Sequence, residues 1–231
     1  VKEEDNIIYR ISASGSVAAE YSLNFDADFH VVVEEPDTQY WALLENCQCA
    51  NCPYDKADKE YCPVALAISP VLFAVDGADS TEIVECQVLT SEREYLGHIP
   101  YQRAIYSLVG LLMATSGCSR FEFLKPMARF HLPFANLEET IARNSSFFLF
   151  AGYFEKPDES LADRLEELTQ YYRELVEVNQ ALLSRVRGAL KEGDVHRNAM
   201  IVLSSFSQVL GMDAHRSSQL VEKLFDLKNP T

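Results

Sequence analysis

Positive charge is scarce in this chain: 20 Lys and Arg stand against 35 Asp and Glu, a formal net charge of −15 over 231 residues. Such a field repels phosphate backbones, so nucleic acid is not expected as a partner. No window approaches the uninterrupted run of about 18 apolar residues needed to cross a bilayer. The longest candidates, SLVGLLMA and SSFFLFAGYF, are too short, and no membrane partner is expected. Glycine-rich phosphate loops, HExxH and the nucleophile elbow are all missing, so no catalytic residue is assigned from a motif. There is no internal repeat, no low-complexity tract and no Gly/Ser-rich linker. The opening residues, VKEEDNIIYR, lack the basic-then-apolar layout of a secretory signal. A cytoplasmic location is therefore expected, where thiols stay reduced.

The charge that is present is unevenly spread. Residues 1–100 carry five basic against nineteen acidic residues. Residues 101–150 carry Arg103, Arg120, Lys125, Arg129 and Arg143 against three Glu, which makes this middle stretch the one suited to face an anion. The general acidity suits solubility, and a sharper alternative is an acidic face that docks on a basic protein partner.

Hydrophobic patterning predicts an α+β fold: an acidic, β-rich part over 1–98 with a cysteine loop, and a helical part over 99–231. With no linker between them, the two are expected to pack as one compact unit. Odd positions from Tyr21 to Val33 are apolar and Asn24, Asp26, Asp28 and His30 fall between them, which reads as one or two half-buried strands. Ile7–Ser12 reads as another strand, and TEIVECQVLTSEREYLGHI as two more, with Cys86 expected to be a buried, inert thiol. TQYWALLENC starts like a short helix, and PVALAISPVLFAV like a second one disturbed by Pro70. DGADS reads as a turn. Further on, PYQRAIYSLVGLLMATSG has Pro100 for a first turn and Gly117 for a stop. Irregular GCSRFEFLKPMARFHLPF follows, then a helix from Asn136, a suitable N-cap, and a break at KPDES. The longest amphipathic helix starts at Leu161, and RNAMIVLSSFSQVLGMD and HRSSQLVEKLFDL predict two final helices.

Within the long helix, Leu161, Leu165, Leu168, Tyr172, Leu175, Asn179, Leu182 and Val186 recur in steps of four and three. A lone Asn at such a position can set register in a two-stranded coiled coil, so Leu168, Tyr172, Leu175, Asn179 and Leu182 are candidates for homodimer contacts. Burial inside a bundle of the chain's own helices is the competing explanation.

The densest motif is ENCQCANCPYDKADKEYCP at 45–63, which holds four of the six cysteines. Cys49 and Cys52 are separated by two residues, a spacing that lets two thiolates converge on one tetrahedral ion. Cys62 can close the loop. A structural zinc takes four ligands, and the fourth is open between Cys47, Cys118 and His131. An iron–sulfur cluster is the alternative for the same thiols, although the spacing matches neither standard ferredoxin pattern. A thiol-redox pair is another, weakened because the motif follows a predicted helix rather than starting one. His131, in RFHLPF, has Arg120, Lys125, Arg129 and Arg143 near it in sequence. Arg120, Lys125, Arg129 and His131 are a set that could bind an anion, and an enzyme or ligand sensor would centre on Arg129 and His131. His98, His196 and His215 carry no motif.

NCP followed by YCP, then LLMATSGC, then KPMARFHLPFANLEETIARN, resemble an uncharacterised bacterial protein family, a domain of unknown function, over nearly the whole chain. The resemblance implies a soluble bacterial protein and no particular chemistry. It implies that Cys49, Cys52, Cys62 and Cys118 belong to the family pattern and that Cys47 is an extra. Ser119 departs from the pattern, which has proline after the cysteine at that point. On this basis the expected ligand set is Cys49, Cys52, Cys62 and Cys118, with Cys47 and His131 as alternatives. The loop becomes one side of a clamp between the two halves of a non-enzymatic protein that self-associates or binds a partner.

Overall fold

A computed structural model describes residues 6–13, 16–33, 40–74 and 79–189. Four antiparallel strands, β1 (Asn6–Ala13), β2 (Ser16–Asn24), β3 (Ile83–Leu89) and β4 (Glu94–Pro100), form one sheet in the order β2-β1-β3-β4. Two hairpins are joined by the β1–β3 pairing, with Tyr9 opposite Val88 and Ile11 opposite Cys86. Period-two patterning gives the sheet one apolar face: Ile7, Tyr9 and Ile11 of β1 and Val84, Cys86 and Val88 of β3 are buried, while Arg10, Glu85 and His98 lie on the other side. The buried thiol of Cys86 is pushed up to about 12 by burial, which keeps it protonated.

Among the described residues, five α-helices follow or interrupt the sheet: α1 (Pro63–Ala74), α2 (Tyr101–Ala114), α3 (Lys125–Arg129), α4 (Leu137–Glu155) and α5 (Leu161–Ala189). The architecture is α+β, as the patterning predicts. Helix α2 is the central one. Its Ala104, Ile105, Leu108, Val109, Leu111, Leu112 and Met113 are all buried, so it is apolar nearly all round. One continuous cluster of buried side chains runs from Ile7, Tyr9 and Val88 on the sheet through α2 to Leu168, Leu175 and Leu182 on α5. Helix α4 begins with a full capping box, in which Asn136 accepts from the Glu139 amide and Glu139 accepts from the Asn136 amide.

Several local expectations are corrected. The strand read over 21–33 stops at Asn24, because the Asp26 carboxylate accepts the amides of Asp28 and His30 at 2.9 and 2.8 Å and turns the chain. Phe29 then sits at φ 62° and stacks on Phe25 with ring centroids 4.4 Å apart. The short helix read in TQYWALLENC shrinks to a 3-10 turn over Tyr40–Ala42, within the part of that stretch that is described. The backbone there pairs with the other end of the cysteine loop instead: the Leu44 amide donates to the Glu60 carbonyl and the Cys62 amide to the Ala42 carbonyl. Helix α1 continues through Pro70, which lies on its exposed side, while the Ser69 hydroxyl donates to the Ala65 carbonyl at 2.9 Å. The irregular stretch after Gly117 becomes a 3-10 segment over Ser119–Leu124 followed by α3. The two final helices, His196 and His215 lie outside the described residues.

The stripe on α5 is covered by the chain itself. Leu168, Tyr172, Leu175, Asn179 and Leu182 are each at most 5% exposed, so these residues are not free to join a second copy. Phe123 shows how the coverage is made: it stacks on Tyr171 at 5.0 Å and meets Tyr172 edge-on at 5.5 Å. Leu161, the first member of the heptad pattern, is exposed instead.

Candidate functional site

The cysteine loop is closed at its neck by the backbone pairing of 42–44 with 60–62. Inside it, the Cys52 amide donates to the Cys49 carbonyl at 3.0 Å, a tight turn that brings those two side chains to the same side. Cys62 precedes Pro63, the first residue of α1. Cys118 comes from the far side of α2, where Gly117 adopts φ 75° and redirects the chain. These three segments put Cys49, Cys52, Cys62 and Cys118 around one pocket with Leu182 and Arg185 of α5. Its cavity of about 20 Å³ has room for one ion or one water and for no organic molecule.

All six cysteines are free thiols. Burial and then the neighbouring Cys52, Cys62 and Cys118 push the Cys49 thiol up to about 12, and burial pushes Cys118 up to about 11. The mutual effect reports closeness among the four. Among the described residues, no three Cys, His, Asp or Glu side chains are already spaced as metal ligands. The thiols are thus gathered around one space without being drawn into tetrahedral contact. As a donor set, four sulfurs around an ion-sized space fit zinc or another thiophilic ion. Cys47 also borders the pocket but is exposed and sits at φ 48°.

The pocket is braced by groups that sequence spacing does not reveal. The Tyr54 hydroxyl donates to the Gly117 carbonyl and accepts from the Ser119 amide, holding the residues on either side of Cys118. Arg120 donates twice to the Asn51 carbonyl and pairs with Glu174 of α5, while the Asn51 side chain donates to the Glu174 carbonyl. The buried Arg185 guanidinium donates to the carbonyls of Trp41, Leu43 and Leu44 at 2.6, 2.5 and 3.0 Å. Arg185 stands beside Val186 of the apolar stripe, and a cation in that place was the one available hint.

The residues expected to hold an anion are dispersed. Arg120 serves the cysteine loop. Lys125 pairs with Glu122 at 2.5 Å and contacts His30 Nε2 at 2.9 Å. Exposed Arg129 lies over the Phe29 ring, 5.0 Å from its centroid. His131 borders a different pocket from the cysteines, so it is not among the side chains gathered around the thiols. His98 pairs with Glu85 on the open face of the sheet.

His131 enters a polar relay. The Tyr9 hydroxyl lies 2.5 Å from His131 Nε2 and 2.8 Å from the Ser107 hydroxyl. A neutral ring carrying its proton on Nδ1 accepts from Tyr9, which leaves Ser107 to donate to the Tyr9 oxygen. As a residue His131 is partly exposed, but protein packs around its ring, and the ring's surroundings govern its charge. Burial first, and Arg143 second, lower its pKa to about 3. Burial drives the Tyr9 phenol upward, with the Ser107 bond opposing. Arg143 donates to the Met127 and Phe130 carbonyls, and its pKa is lowered by burial.

The chain belongs to the family described as Domain of unknown function (DUF6901), whose family model matches residues 7–226. No curated protein and no solved structure matches it.

Proposed function

We propose that this family member is a non-enzymatic, metal-clamped protein in which Cys49, Cys52, Cys62 and Cys118 hold one structural zinc ion. The observation that carries the reading is the meeting of four thiols, drawn from three separate chain segments, at one ion-sized pocket. Four thiolates around a divalent cation leave a complex of net charge −2 with no open coordination position for a substrate. Arg185 borders the pocket, and Arg120 is close enough to lower the Cys118 thiol. Both suit that residual negative charge. Cys47, exposed at the pocket's rim, is the bystander. The clamp would fasten the cysteine loop, and through Cys118 the end of α2, against α5. Any part in self-association or partner binding needs a surface other than the covered stripe of α5.

The iron–sulfur and thiol-redox readings use the same thiols. The contact between the Cys49 and Cys52 side chains favours the redox version as the second reading. A cavity of about 20 Å³ suits a single ion better than a cluster. Element analysis of protein purified without chelator separates the three: about one zinc per chain supports the clamp. Iron with visible colour supports a cluster. Absence of metal together with a mass lower by two hydrogen atoms, reversed by reductant, supports a disulfide between Cys49 and Cys52. Metal-free protein without that mass change removes all three.

A further inference from the structure

The pocket beside His131 has a composition that the zinc clamp does not use. It lies among α2, α3 and α4 and the middle of α5, has a volume of about 150 Å³, and is partly open to solvent. A cavity of that size can hold a molecule as large as benzene. Its walls are mostly apolar: Leu111, Met113, Phe121, Leu124, Met127 and Leu175 are among them. In a chain with a formal net charge of −15, no Asp or Glu among the described residues lines this pocket. Among the described residues, its basic side chains are Arg143 and His131, the latter neutral.

Arg143 is the informative group. Its guanidinium is satisfied in part by the Met127 and Phe130 carbonyls, and among the described residues it forms no ion pair with a carboxylate. Glu139, one turn earlier on α4, attracts it only at longer range. A half-buried cation beside an apolar cavity gains most from an anion whose remaining surface is apolar. Thr140, three residues before Arg143 on the same face of α4, also borders the cavity, but its hydroxyl donates to the Asn136 carbonyl at 2.8 Å, so Arg143 is the group left to meet an anion.

We propose that this pocket binds a small apolar monocarboxylate, an aromatic or branched aliphatic acid of roughly six to nine heavy atoms, with its carboxylate on Arg143 and its body against α2 and α5. The site is independent of the cysteine pocket and stands whether or not zinc is bound there. It also moves the anion contact, expected from sequence at Arg120, Lys125, Arg129 and His131, to Arg143.

Ligand-observed NMR and calorimetry on the full chain test the assignment with benzoate and cyclohexanecarboxylate against their neutral isosteres benzamide and cyclohexanecarboxamide. The acids bind, and the amides bind about tenfold or more weakly, a ratio typical of one charge-assisted contact. Arg143→Gln keeps a donor for the two carbonyls; it lowers acid affinity by about the same factor and leaves amide affinity unchanged. Arg143→Lys retains the preference for acids. Ala114→Leu, which fills the cavity from α2, abolishes binding of both classes. Failure of the wild-type protein to bind either class at millimolar concentration overturns the site. Equal affinity of acid and amide for the wild-type protein overturns the role of Arg143, and this arm needs no variant to fold.

Discussion

The hydroxyl of Tyr54, in the cysteine loop, donates to the carbonyl of Gly117 at 3.0 Å across 63 positions of chain. The same oxygen accepts from the Ser119 amide at 3.1 Å, so one side chain brackets Cys118. That places a cysteine from the end of α2 beside three cysteines from a distant loop, using bonds that need no metal. Tyr54→Phe removes the two bonds and leaves a carbonyl and an amide short of partners. The expected cost is about 1–2 kcal/mol, or roughly 2–8 °C in Tm for a chain of this size. Thermal unfolding by circular dichroism checks it, and an unchanged Tm would show that solvent replaces the bonds at no cost.

Cys47 and Cys118 should differ sharply. On the zinc reading, Cys118→Ser loses metal and lowers Tm by several degrees, roughly what loss of one structural ligand costs. Cys47→Ser keeps about one zinc per chain and an unchanged Tm. The reverse pattern would move the fourth ligand to Cys47 and detach the clamp from α2.

Arg185 carries a structural prediction that is independent of metal. Three carbonyls of the segment leading into the cysteine loop depend on its guanidinium. Arg185→Met preserves much of the side-chain volume but strands those acceptors, at an expected cost of about 3 kcal/mol or more. Urea unfolding measures this directly. A loss below about 1 kcal/mol would mean that the loop re-satisfies its carbonyls locally.

His131 predicts an acid limb of stability. Its ordinary pKa of 6.5 falls to about 3 in the folded chain, where Tyr9 of β1 and Arg143 of α4 face the ring. The unfolded chain therefore binds the extra proton between those two values. Stability present above about pH 6.5 is lost as pH falls toward 3, at up to about 1.4 kcal/mol per unit. Between pH 7.5 and 5 the wild-type protein should lose about 2 kcal/mol more than His131→Gln, whose side-chain carbonyl can still accept from Tyr9. Equal losses in the two proteins would assign the acid limb to other groups.

Local periodicity was a good guide wherever neighbours in sequence decided the outcome. Alternation located β1, β3 and β4, and Asn136 with Glu139 marked the start of α4 through a bond spanning three residues. It failed where a side chain or a distant strand competed for the backbone. Asp26 captured two amides and ended β2 early, although Phe29 beyond the turn is still buried and so kept the apolar alternation intact. Around Trp41 and Leu44 the helical signal was genuine, but pairing with Glu60 and Cys62 took the amides a helix would have used.

The cysteine spacing and the apolar stripe of α5 can be read from the chain by itself, because both depend on distances of a few residues. It also supplies the two facts that frame the second pocket, a strongly acidic whole and a weakly basic middle. Only the tertiary structure decided that the stripe is used internally, that Cys118 rather than His131 joins the loop thiols, and that Arg143 borders a cavity lined by no carboxylate among the described residues. Those outcomes depend on which elements pack together and at what register. Arg185 meets Trp41 across 144 positions and Tyr9 meets His131 across 122, separations over which no sequence period carries information.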